Sequence, residues 1–95
     1  MKERSQVQKS SVPRWARGVK FRFDKARERW MIVAPERILL PQGPGLDISH
    51  HIDGDRDVEG ITDALLEAYD AERATIQTET IDFLQDLSDR GYITL

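Results

Sequence analysis

The chain has 95 residues, with 14 Lys+Arg against 17 Asp+Glu, 39% hydrophobic and 33% charged residues, which allows one small domain with a thin core. The absence of cysteine excludes disulfides, thiolate-held zinc and thiol chemistry. No apolar run approaches the roughly 20 residues of a bilayer span, and Met1–Lys20 lacks the apolar stretch of a secretory signal, so the expectation is a soluble, cytoplasmic protein with no membrane partner.

Residues 1–13 (MKERSQVQKSSVP) are polar and aperiodic, and read as a disordered arm or linker, of which 1 to about 9 are expected to be dispensable for folding, leaving 14–95 as the domain. Val19, Phe21 and Phe23 then alternate with Lys20, Arg22 and Asp24, the period of a half-buried strand. Trp30, Ile32 and Ala34 alternate with Met31 and Val33 in a second strand, and Lys25–Glu28 has the length of a hairpin connection. Ile38–Leu40 is a short third strand between Pro35 and Pro41.

The remainder is helical in pattern. Pro44 suits a first helical turn, and Leu46, Ser49 and Ile52 mark one face of a short helix ended by Asp53-Gly54-Asp55. Asp57 is a good N-cap for a second helix carrying Val58, Ile61, Leu65, Ala68 and Tyr69. A third helix begins near Thr75, holds Ile76, Thr80, Phe83, Leu84 and Leu87 on one stripe, and closes at Arg90-Gly91 before a short extended tail. The expected fold is α+β and winged-helix-like, a three-stranded antiparallel sheet followed by three helices in the order βββααα.

Chemistry-bearing patterns are sparse. Residues 1–37 carry eleven basic and four acidic side chains, and residues 38–95 three basic and thirteen acidic. No glycine-rich phosphate loop is present, and the adjacent His50 and His51 diverge by about 100° on a helix, a poor arrangement for one metal ion. No nucleophile has a convincing base, so the reading is a non-enzyme with no cofactor and no metal. A winged helix invites nucleic acid, yet the third helix carries Glu79, Asp82, Asp86 and Asp89, which a polyanion repels. The alternative that remains is a regulatory domain binding nucleic acid through its basic sheet and arm.

Phe21-Arg22-Phe23-Asp24, Arg29-Trp30, Ala34-Pro35-Glu36-Arg37, Asp53-Gly54, Leu65…Tyr69 and Ile76…Phe83-Leu84…Leu87…Gly91-Tyr92-Ile93 stand in an order and spacing that resembles the PqqD family of pyrroloquinoline quinone (PQQ) biosynthesis. The run Pro41–Ser49 departs from the family's usual first helix. The resemblance implies a peptide chaperone and recognition element: it binds the ribosomal precursor peptide PqqA, presents it to the radical S-adenosylmethionine enzyme PqqE, and is in some members fused to or associated with PqqC, without nucleic acid.

An open sheet edge can accept such a peptide as an added strand. By resemblance to leader-binding domains, the third strand and third helix line the groove: Arg37, Ile38, Leu39 and Leu40 from the one, and Gln77, Thr80, Ile81, Leu84 and Ser88 from the other. On a helical projection Gln77, Ile81 and Ser88 form an uncharged flank beside the core stripe, and Glu79, Asp82, Asp86 and Arg90 a charged one. The expectation is that the uncharged flank faces the groove.

Overall fold

The computed structural model of the protein describes residues 6–95. Alternation of apolar and polar side chains produces the antiparallel hairpin β2 (Lys20–Asp24) and β3 (Arg29–Val33), in register from Lys20↔Val33 to Asp24↔Arg29. The Asp24 carboxylate accepts from the amides of Ala26 (3.0 Å) and Arg27 (3.4 Å), and Glu28 takes a left-handed conformation that closes the turn. The third strand, β4 (Ile38–Leu39), pairs with β3, giving a sheet ordered β2-β3-β4.

Three helices follow: α1 (Pro44–His50), α2 (Val58–Ala68) and α3 (Arg73–Asp89). Asp57 caps α2 by accepting from the Gly60 amide (2.8 Å). Gly91, at φ 83°, reverses the chain after α3 and lets the Tyr92 amide return to the Leu87 carbonyl (2.9 Å). The α+β architecture with three strands and three helices is therefore the one expected.

Three details differ. A second, two-stranded ribbon joins β1 (Arg14–Trp15) to β5 (Ile93–Thr94), converting the expected tail into a strand. The third helix starts two residues early, at Arg73. In α1, Ile48 joins Ser49 and Ile52 inside, while Leu46 is only half-buried.

The core is assembled from Ile32 of the sheet, Ile48 of α1, Val58 and Ile61 of α2, and Leu84 and Leu87 of α3, all essentially inaccessible to solvent. At one margin an aromatic row continues it: Trp15 stacks on Phe21 (5.6 Å between centroids), Phe21 on Trp30 (4.8 Å), and the His50 ring stands edge-on to both Phe21 and Trp30.

The arm expected over 1–13 divides. Residues 1–5 lie outside the described residues, but the rest is packed. Val7 is 8% exposed within the core cluster, and its amide donates to Gln85 Oε1 of α3 (2.9 Å). The carbonyls of Lys9 and Ser11 accept from the Glu59 and Val58 amides, so this segment satisfies the open first turn of α2. A single valine sufficed because it enters a prepared apolar site while backbone bonds fix its neighbours. Truncation to Ser10, and Val7→Ala to a smaller degree, are expected to destabilise the domain. Losing the burial of Val7 costs about 1.5–3 kcal/mol, and each kcal/mol lowers Tm by about 4–8 °C in a domain of this size, measurable by thermal melting.

His51, at the end of α1, lies with Nδ1 2.7 Å from Arg56 Nη1. Burial and then the Arg56 charge hold its pKa below the usual 6.5. The folded state thus disfavours protonated His51 relative to the unfolded chain, so this contribution to stability is present above about pH 6.5 and lost as pH falls through the lowered value. His51→Gln is expected to flatten the decline in Tm between pH 7 and 5.

Candidate binding groove

The two edges of the three-stranded sheet are chemically unlike. Edge β2 carries the exposed Lys20 and Arg22, which discourage pairing with another chain. Edge β4 is apolar. Alternation turns Leu39 inward against the core, opposite the fully buried Ile32, and leaves Ile38 56% and Leu40 39% exposed. Met31 on β3 is buried but stands outside the core cluster, consistent with its place on the opposite face of the strand from Ile32. The outer side of β4 therefore presents two of the large apolar side chains that remain exposed, Ile38 and Leu40.

Segment 37–45 runs along one flank of α3. At the helix C-terminus, Arg37 Nη2 donates to the Arg90 carbonyl (2.7 Å), and its guanidinium lies 4.8 Å from the centroid of the Tyr92 ring. Near the middle of the helix, the Phe83 ring lies against Gly45 so closely that a Cβ there would stand 2.7 Å from Phe83 Cε1. Segment 37–45 thus meets α3 at Phe83 and at Arg90.

The expected orientation of α3 is reversed. Gln77 donates to Glu59 of α2, and Arg73 Nη1 pairs with Asp63 (2.6 Å) while Nη2 lies 3.5 Å from Glu59. Gln85 receives the Val7 amide. The uncharged flank therefore packs toward α2 and the N-terminal segment, and the opposite flank meets α1 at Phe83 and Arg37 at Arg90. The projection could rank faces about the core stripe but held no sign of which neighbour each flank meets.

The residues expected to line the groove separate accordingly. Arg37, Ile38, Leu39 and Leu40 are contiguous on the β4 side, Arg37 as an anchor and Leu39 as a core contact. Thr80 and Leu84 are completely buried and can support the groove only from beneath. Gln77 is engaged with α2, Ile81 is half-buried against the core, and Ser88 is half-buried near the helix end. Phe83, expected on the core stripe, is half-buried against the core and also closes on Gly45 of α1, a contact that its spacing along the helix did not signal.

One turn from Phe83 toward the helix N-terminus lies a cavity of about 180 Å³. Ile48 and Pro44 of α1 and Leu65 and Tyr69 from the end of α2 form its walls, with Ile76 and Thr80 of α3. Ala71, Thr75 and Glu79 complete it, all three exposed. The Tyr69 hydroxyl donates to Asp47 of α1, and the Thr80 hydroxyl to the Ile76 carbonyl (2.8 Å). Among the described residues no group of three or more His, Cys, Asp or Glu side chains is placed to hold a metal ion.

Known proteins share this fold and much of this sequence. The family model for coenzyme PQQ synthesis protein D (PqqD) matches residues 29–93, and a PqqA binding protein of Rhodopseudomonas palustris is 44% identical across 93% of this chain and 86% of its own length. The chain belongs to the PqqD family. A PqqA binding protein of Bradyrhizobium diazoefficiens is 39% identical over 93% of this chain and 85% of its own. The solution structure of the PqqD truncation of Methylobacterium extorquens PqqCD, a functional, stand-alone recognition element for ribosomally synthesised, modified peptides, superposes with a TM-score of 0.78. It is 30% identical and covers 94% of this chain and 95% of that one. The crystal structure of PqqD from Xanthomonas campestris gives 0.60 at 27% identity, covering 95% and 100%. The PqqD match spans β3, β4, all three helices and the first residue of β5.

Substitutions separate core from surface here. Leu84→Ala is expected to cost about 2–5 kcal/mol, and Ile81→Glu to lower Tm because it charges a half-buried contact. Ile38→Asp should stay within about 0.5 kcal/mol of the parent. Chemical denaturation of the three variants is the check.

Proposed function

We propose that this chain binds the precursor peptide PqqA as a strand added to β4 and presents it to the radical S-adenosylmethionine enzyme PqqE in PQQ biosynthesis. The observation that carries the reading is the exposed apolar edge Ile38–Leu40, held beside α3 by the Arg37 anchor. Main-chain groups of the edge supply affinity and the outward side chains supply selectivity. The proline at 35 and the buried proline at 41 confine pairing to a few residues, so side-chain contacts with the α3 flank must add to the backbone bonds.

The names and structures of the relatives support the peptide, and the PqqCD protein supports PqqC as a fused or associated partner. The role is binding rather than catalysis: the chain holds the substrate and leaves the chemistry to the enzyme. The absence of any helix long and apolar enough to cross a membrane among the described residues fits a cytoplasmic site of action. The nucleic-acid alternative is disfavoured by the acidic helix, since α3 carries Glu79, Asp82, Asp86 and Asp89.

Titration with synthetic PqqA tests the reading. Ile38→Asp and Leu40→Asp are each expected to weaken binding at least about tenfold, because docking would desolvate an unpaired carboxylate, with the melting curve retained. Affinity should change only modestly between 50 and 200 mM salt. Unchanged peptide affinity in both folded variants overturns the edge assignment, and tight, steeply salt-dependent binding of a duplex in place of the peptide overturns the function.

A further inference from the structure

The cavity between α1, the end of α2 and the first half of α3 is separate from the β4 edge, and the strand-addition reading makes no use of it. Its walls are built from Pro44, Ile48, Leu65 and Ile76, and its threonine at position 80 has spent its hydroxyl within the helix. An aliphatic cavity of roughly 150 Å³ stays dry and takes up a benzene-sized group. At about 180 Å³, this one suits a single branched or aromatic side chain.

Its mouth is acidic and its acid is uncommitted. Glu79 is exposed at the rim and makes no ion pair among the described residues, whereas Asp86, two turns along the same flank, is paired with Arg90 (3.1 Å). Asp47 of α1 accepts from the hydroxyl of Tyr69, one of the cavity's walls. An apolar hole beside an unpaired carboxylate is complementary to an apolar side chain with a cation next to it. It lies along the same flank of α3 as Phe83, one turn beyond the point where segment 37–45 meets the helix.

Resting on the peptide-binding reading, we infer that this cavity is a second anchor for the same peptide: it takes one large apolar side chain, and Glu79 takes a Lys or Arg within two positions of it. The strand on β4 and the anchor in the cavity then hold the peptide at two points. Two weak contacts on one chain reinforce each other, because the second forms at the effective concentration set by the first. A short strand pairing can thereby give a specific complex.

The test is a titration of the full chain, with isoleucine methyl groups labelled, using synthetic PqqA and derivatives in which each apolar residue near a Lys or Arg is replaced by Ala. The Ile48 and Ile76 methyl signals are expected to shift on peptide addition. Ala71→Trp and Thr75→Phe, at exposed rim positions, fill the cavity from outside and should each weaken PqqA binding about tenfold or more. One alanine-substituted peptide should bind the parent protein with the same loss and be insensitive to either variant, and Glu79→Gln should remove part of the affinity in a salt-dependent manner. If Ile48 and Ile76 stay still while Ile38 responds, the anchor is overturned and strand addition stands. If the parent protein binds no peptide, both fall. Methyl shifts that follow protein concentration instead of peptide place a second copy in the cavity and overturn the inference.

Discussion

Ile76, Thr80, Leu84 and Leu87 recur at three- and four-residue intervals along α3, and burying them to between 0% and 6% exposure requires neighbours around more than a third of the helix circumference. α2 covers one side and α1 the other, with the sheet contributing Ile32, and Val7 and Ile93 closing the remaining gaps. No element alone has a core of its own: β4 and β5 are two residues long and α1 is seven. Isolated helices and ribbons of that length are marginal in water. The stripe on α3 is therefore the condition for every other element, including the exposed apolar edge at β4.

The same helix sets the chemistry of the surface. Its flank toward α2 is neutralised locally, by Gln77 on Glu59 and by Arg73 on Glu59 and Asp63. Its flank toward β4 retains carboxylates that face solvent. Exposed ion pairs such as these contribute little stability, so the difference between the flanks matters less for folding than for what can approach. A peptide entering beside β4 meets apolar side chains from the strand and acidic ones from the helix, a combination that favours an extended chain with mixed apolar and basic character over a polyanion.

Long periodic elements were legible in the sequence. The alternation in 19–24 and 30–34, the glycine at 91 and the Asp57 cap all carry local signals strong enough to read, and each stands where it was expected. The ribbon of Trp15 with Ile93 was not legible, since two residues define no period and their pairing joins opposite ends of the chain. Val7 was hidden for a related reason: one apolar residue in a polar run signals nothing until the site that receives it exists. The short third strand followed from Pro35, Pro41 and the apolar run between them. The neighbours of each α3 flank did not, because helical angles fix relative faces, whereas contacts such as that of Arg37 with Arg90, 53 positions away, leave no local pattern.

That long-range contact explains how the domain tolerates an apolar edge. An open strand with exposed Ile38 and Leu40 invites unwanted pairing, and proteins ordinarily blunt such edges with charge or proline. Here prolines at 35 and 41 shorten the edge without charging it, and Arg37 ties its start to the carbonyl of Arg90 and the face of Tyr92. Only a chain that fits both the short strand and the adjacent flank of α3 gains enough from the edge to remain there. A generic strand gains two or three backbone bonds, each worth about 0.5–1.5 kcal/mol net, against about 1–2 kcal/mol per residue for ordering its backbone. Brevity of the edge is thus a source of selectivity: it leaves backbone pairing insufficient alone and gives the deciding share of affinity to the side chains beside it.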